Sequence, residues 1–123
     1  MRRALLVLAL ALGGVGLFAG GLAWVLNDPR PPAGASRSER LYISLCASCH
    51  GLDGRGSWRA ALFLIRPGDL TTAADQPDQY LFDVIKHGGA SIGRPGMPAF
   101  GAQLRDDDIR ALVDYLDALP GRR

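Results

Sequence analysis

Two cysteines three residues apart, followed at once by a histidine, occupy Cys46-Ala47-Ser48-Cys49-His50, and the chain has no other cysteine. That spacing restricts the local fold. On a helical turn Cys46 and His50 lie four residues apart on one face, with Cys49 beside them. Two soft thiols and an imidazole at a single turn form the attachment signature of c-type haem. The thiols reach the vinyl groups along one edge of the ring, and His50 reaches the iron as proximal ligand. Two other chemistries use a CxxC. A thioredoxin-like redox pair needs a preceding strand and a βαβ surround, whereas the flanks here read as helix. A zinc site needs four ligands, and with two Cys and two His in all the chain would have to use every one of them, or carboxylates.

The N-terminus sets a second constraint. Arg2 and Arg3 precede Ala4 to Leu26, 23 residues without a charge. As a helix the run is about 34 Å long at ~1.5 Å per residue, enough to cross a hydrocarbon core of ~30 Å. A secretory signal peptide has the same charged start but a shorter apolar region, typically ~7–15 residues. The length favours an uncleaved anchor, while Ala19-Gly20-Gly21 offers small residues suited to cleavage. A buried core helix is the poorest reading, because the run is apolar all round. Arg2 and Arg3 place its start in the cytoplasm by the positive-inside rule. The rest of the chain then lies across an inner membrane, on the periplasmic side, with Trp24 as an interfacial anchor. Haem is attached covalently outside the bacterial cytoplasm, which agrees. In such a compartment a bare CxxC tends to oxidise.

The expected organisation is residues 1–26 as anchor or signal peptide, 27–35 as a Pro-rich linker and 36–123 as one haem domain. The linker, NDPRPPAGA, has three prolines in nine residues and favours an extended form of at most ~28 Å, leaving the domain some freedom. A domain of this size has a marginal core of its own, and a covalently bound ring would supply a large apolar centre. Net charge is +2 overall; without Arg2 and Arg3, twelve basic residues meet twelve acidic ones. Residues 30–66 carry six arginines against Glu39 and Asp53, and residues 67–123 carry six basic against nine acidic residues. Neither charge nor motif suits nucleic acid. The basic half is either an ordinary solvated surface or a docking patch for an acidic partner.

Helical periodicity accounts for most of the remainder. Ser36-Arg37-Ser38-Glu39 opens like a capping box, and Leu41, Tyr42 and Leu45 carry a first helix from about Ser38 into Cys46–Cys49. Gly51 to Gly56 ends it. Trp58 to Ile65 (WRAALFLI) is apolar without a clear period and reads as irregular chain or a short turn against the haem. A second helix runs from Pro77 to about His87, with Leu81, Phe82, Val84 and Ile85 on one face, and stops at Gly88-Gly89. A glycine-rich loop follows from Gly88 to Gln103. The last helix spans about Asp106 to Leu119, with Ile109, Leu112, Val113 and Leu116 inward and Asp106 to Asp108 at its positive end; Pro120-Gly121 ends it. No stretch reads convincingly as strand, so the soluble part is expected to be all-α.

An electron-transfer haem needs a ligand opposite His50. With Met1 on the other side of the membrane, Met97 is the favoured thioether, in Gly96-Met97-Pro98. Pro98 stiffens that loop and Gly96 lets backbone approach the ring. His87 is the rival, at a helix end where a histidine often only meets the last carbonyls. An open sixth position is the third possibility.

CASCHG with GLDGRG, then RPGDL, VIKHG, GRPGMPAFG and DDIRALVDYLDAL, in that order and spacing, resemble a class I c-type cytochrome, monohaem and membrane-anchored. The resemblance covers about Ser38 to Leu119. It implies the small all-α cytochrome c fold wrapped around one haem c, preceded by a single N-terminal transmembrane helix, with a fixed contact between the first and last helices. It also implies that the carbonyl of Pro67 accepts a hydrogen bond from His50, and that Tyr115 is the aromatic residue of the last helix. Ser38 stands where the first helix usually presents glycine to it. Arg105 stands in the usual Ser/Thr cap position, a poor type for a cap, which Asp106 is placed to take over.

The function so implied is one-electron transfer in a respiratory or photosynthetic chain, with no substrate and no enzyme activity. Met/His ligation raises the potential. The alternative is a fixed subunit of a larger membrane oxidoreductase. The implied partners are a quinol-oxidising complex, an oxidase, a reaction centre or a dehydrogenase. The flexible linker leans towards a shuttle. Gly13, Gly14, Gly16, Gly20 and Gly21 lean towards a packed subunit, since small residues let membrane helices approach closely. A haem sensor or enzyme with an open iron is the third reading.

Overall fold

The computed structural model describes residues 2–73 and 75–119; Met1 and Pro120-Gly121, invoked above, lie outside them. The helices are α1 (Arg2–Leu26), α2 (Arg37–Leu45), α3 (Ala47–His50), α4 (Trp58–Leu62), α5 (Leu70–Ala73), α6 (Asp78–His87) and α7 (Asp106–Asp117), with a 3-10 turn at Ala90–Ile92. No strand occurs among the described residues, and the architecture is all-α as expected.

α1 touches α4 at its C-terminal end, where Trp24 stacks on Trp58. None of its residues is buried, so it serves no core. It is long and apolar enough to cross a membrane, which makes it a candidate single-pass anchor.

α2 begins with both halves of a capping box. The Glu39 N–H donates to Ser36 Oγ at 3.1 Å and the Ser36 N–H to Glu39 Oε2 at 3.3 Å, satisfying two donors that a helix start leaves open. The helix does not run unbroken into the motif. Cys46, at φ −111° and ψ −39°, separates α2 from α3.

The core joins α2, α6 and α7. Tyr42, Ile43, Ala47, Leu81, Leu112, Val113, Leu116 and Leu119 form one buried cluster, with Phe82, Ile85, Leu104 and Tyr115 packed against it. The first–last helix contact is made by aromatic rings: Tyr42 and Tyr115 have centroids 5.4 Å apart, tilted by 48°. Ser38 lies one turn earlier, its hydroxyl 3.2 Å from that of Ser36. The cap of α7 departs from expectation. Arg105 remains at the N-cap without a side-chain cap bond. Asp106 does not take over, because its carboxylate turns to Lys86 Nζ, at 2.8 and 3.0 Å.

The same helix crossing carries a bidentate ion pair. Arg37 Nε and Nη2 donate to the two oxygens of Asp108 at 2.5 and 2.9 Å. Asp108 is the buried charged residue of the described core, and hydrogen bonding to Arg37 pulls its carboxyl down to about 2. A depressed folded-state pKa gives stability that is complete above the ordinary carboxylate range and disappears as pH falls through it to about 2. Asp108→Asn is therefore expected to lower the thermal midpoint at neutral pH, with the difference from the unmodified chain closing over that acid window. Midpoints across pH check this; a gap independent of pH would mean that the pair is not its source.

Candidate functional site

The motif is built by backbone bonds within one turn. The Cys49 and His50 N–H groups donate to the Cys46 carbonyl at 3.1 and 2.8 Å. Gly51 then reverses the chain at φ +77°, and a Cβ there would meet the Gly56 carbonyl at 2.8 Å, so only glycine suits the position. The loop returns to the motif it left: Gly56 N–H donates to His50 O at 2.8 Å and Ser57 N–H to Cys49 O at 2.9 Å. Tyr42 Oη, from the core, closes the turn on Gly51 O at 2.7 Å.

The two thiols are not bridged to each other. Burial, reinforced by Cys49, pushes the Cys46 thiol up to about 12, which keeps it protonated. Among the described residues no three His, Cys, Asp or Glu side chains gather as a metal-ion site, which leaves the zinc alternative without a ligand set there.

The His50 ring is oriented by a carbonyl. Its Nδ1 lies 3.1 Å from Gly68 O. Resemblance pointed to Pro67 for this role; the carbonyl in reach belongs to the next residue of the loop. A carbonyl only accepts, so Nδ1 carries the proton. Burial, with a smaller contribution from the Arg94 charge, lowers the ring's pKa against the opposing pull of that hydrogen bond. Burial thus favours the neutral ring, whose bare nitrogen is then Nε2, the form in which histidine ligates a metal.

Met97 lies in a loop that closes back on the end of α6. The Gly88 N–H donates to Val84 O at 2.9 Å, the Phe100 N–H to Ile85 O at 3.0 Å and the Gly101 N–H to Lys86 O at 3.0 Å, so the loop satisfies the open carbonyls of the helix. Gly89 ties this loop at two points: its N–H donates to Met97 O at 3.0 Å, and its carbonyl accepts from the Arg94 N–H at 2.8 Å. A Cβ on Gly89 would lie 2.4 Å from Arg94 O and 2.9 Å from Met97 Cβ. Gly89→Ala is therefore expected to push the Met97 segment outward while α2 and α7 keep their packing. Helical circular dichroism should change little, and faster hydrogen exchange at the Met97 amide, which donates to Arg94 O, should report the shift.

The loop that carries Met97 approaches the segment around Gly68. Arg94 Nη1 lies 3.4 Å from where a Cβ on Gly68 would sit, and Ile65 Cγ2 lies 3.9 Å from the corresponding point on Gly96. His87, the rival ligand, is exposed at the end of α6, within electrostatic reach of Asp106.

A family model described as cytochrome C oxidase, cbb3-type, subunit III matches residues 33–116. The chain belongs to this family of c-type cytochromes. A search of curated proteins finds no match. Membership of this cytochrome family brings covalently bound haem c, iron and electron transport. The residues present fit that group. Two unbridged thiols and an imidazole held through Nδ1 share one turn, Met97 lies in a loop braced against the end of α6, and that loop approaches the Gly68 segment through Arg94 and Ile65.

Sequence reasoning missed several parts of the cytochrome's site. Gly88-Gly89 reads as a helix stop, yet the pair also clamps Met97. Tandem glycines directly before the Met97 loop were the available signal. Trp58 to Leu62 is a true helical turn, capped by Ser57 Oγ accepting from the Arg59 N–H at 3.1 Å. In the basic half, Arg37 pairs with Asp108, Arg40 bonds the Ala35 carbonyl and Arg59 bonds carbonyls at the end of α1. These arginines thus face the chain's own groups, which favours the ordinary-surface reading over an acidic-partner patch.

Proposed function

We propose that this cytochrome is a membrane-anchored one-electron carrier in which His50 and Met97 are the axial ligands and Cys46 and Cys49 hold the ring edge as thioethers. Residues 1–26 form the anchor in the inner membrane, 27–35 the connection and 36–123 the haem domain on the periplasmic side. The observation that carries the reading is the His50 ring, held through Nδ1 on Gly68 O at 3.1 Å and presenting Nε2 from the turn that bears both thiols.

When bound, the haem supplies one-electron exchange between ferrous and ferric iron. The chain's residues do the rest. Gly68 fixes the ring orientation of His50 and raises its basicity, and burial favours the neutral form of that imidazole. Gly89 holds the Met97 backbone, so the Met97 thioether would be offered to the iron from a braced loop. With both ligands on braced backbone, little rearrangement accompanies a change of charge. The reaction alters no bond in a substrate.

The second reading, a fixed subunit of an oxidase-type complex, gains support from two observations: the description of the matching family, and the contacts that tie α4 to the end of α1. Under either reading the partners are redox proteins, an oxidase among them.

The test uses membranes from cells making the haem-loaded full chain. Haem is expected to stay with the membrane through an alkaline wash, and the reduced protein is expected to refuse carbon monoxide. Ready carbon monoxide binding would remove Met97 as a stable ligand. Release by the wash would remove the anchor.

A further inference from the structure

We infer that the haem domain lies down on the bilayer, seated by an apolar ridge of Trp58, Leu62 and Leu64 that enters the lipid interface beside the outer end of α1. The inference rests on the reading of α1 as a membrane anchor.

Depth carries the argument. Trp58 stacks on Trp24 with ring centroids 4.7 Å apart and planes at 18°. Next to it, Arg59 Nε donates to Val25 O at 3.0 Å, and its Nη2 to Trp24 O at 3.4 Å and to Asn27 O. These carbonyls close the C-terminal end of α1, where a helix leaves acceptors open and favours a cation. A tryptophan near the end of a membrane helix sits at headgroup level. A ring stacked on it shares that level, so α4 is drawn there with it.

What α4 and its exit display at that level is apolar. Trp58 and Leu62 are four apart on one helical face, 45% and 58% exposed, and Leu64 is 90% exposed. Leu64 holds a left-handed φ of +56°, a conformation unfavourable for leucine, with its N–H on Ala61 O at 3.1 Å. Leu52 lines the same cleft as Trp58, Arg59 and Pro29, which widens the patch. Ile65, by contrast, turns its Cγ2 towards Gly96 in the Met97 loop. Adjacent exposed apolar side chains mark an interaction surface. Here the surface is continuous with the outer end of an apolar membrane helix, and its occupant is the lipid interface. Arg66 follows the ridge in sequence, with a stem long enough to lie along lipid while its charge stays wet.

The experiment reads depth by nitroxide labelling of the haem-loaded full chain in phospholipid vesicles. In that chain both native thiols are consumed by haem, and the unmodified protein sets the labelling background. Single labels are placed at Leu64→Cys on the ridge, at Asp107→Cys on exposed α7 and at Leu12→Cys in mid-anchor. The readout is collision with oxygen relative to collision with a water-soluble nickel chelate. The ratio at Leu64 is expected to be severalfold above that at Asp107, and to fall to the Asp107 level when Trp58→Ala and Arg59→Ala are added. A deep Leu12 label with a Leu64 label as wet as Asp107 overturns the seat and leaves the anchor standing. A wet Leu12 label overturns the anchor itself, and the seat with it. Shielding of Leu64 only when other membrane proteins are added assigns the ridge to a protein partner and overturns the lipid seat.

Discussion

Cys46→Ala combined with Cys49→Ala is expected to abolish covalent haem: no haem should travel with the chain through a denaturing gel. The two thiols are the chain's only cysteines, and they leave one turn whose amides share the Cys46 carbonyl. No second pair can replace them. The effect should reach beyond cofactor retention. The buried cluster of α2, α6 and α7 is small, and at this chain length a protein core alone is marginal. Loss of the ring should therefore lower the yield of folded protein as well as its colour. Each single variant is the internal control. With one thioether left, haem should survive denaturation, so the loss in the double variant reads attachment and not misfolding. Haem that resists denaturation in the double variant would overturn the thioether assignment.

The parts of the molecule legible in the sequence are those set by local spacing. The capping box at Ser36 and Glu39 follows from residue types three apart, and the inward face of α7 follows from Ile109, Leu112, Val113 and Leu116 at helical intervals. The CxxCH turn is equally local. What was not legible depends on approach between distant segments. Arg37 and Asp108 are 71 residues apart, and nothing around either announces the other. Arg59 looks like a solvated charge until the end of α1 arrives beside it. The helix at Trp58–Leu62 has no polar face to give it a period; its Ser57 cap and the Trp24 stack define it. The shift from Pro67 to Gly68 is a matter of loop geometry, where one residue changes which carbonyl faces His50. The linker's proline content suggested freedom, but Arg59 bonds the carbonyl of Asn27 at one end and Arg40 that of Ala35 at the other.

Met97→Ala is expected to leave haem attached and to open the iron. Attachment depends on the α3 turn, whereas Met97 belongs to the loop closed against α6, so one can change without the other. Two measurements should move together. The reduced variant should bind carbon monoxide that the unmodified protein refuses. The midpoint potential should fall by an appreciable part of the roughly 0.8 V range that axial ligation spans, because loss of the thioether removes the ligand that favours ferrous iron. Met97→His separates ligand identity from loop damage. If the position faces the iron, an imidazole there should close it to carbon monoxide again while the potential stays low. His87 supplies the competing outcome. It is exposed, at the end of α6 and within electrostatic reach of Asp106, and His87→Ala is expected to change neither readout. Were Met97→Ala silent and His87→Ala to open the iron, the loop clamped by Gly89 would be a structural brace, and the sixth ligand would come from the helix end.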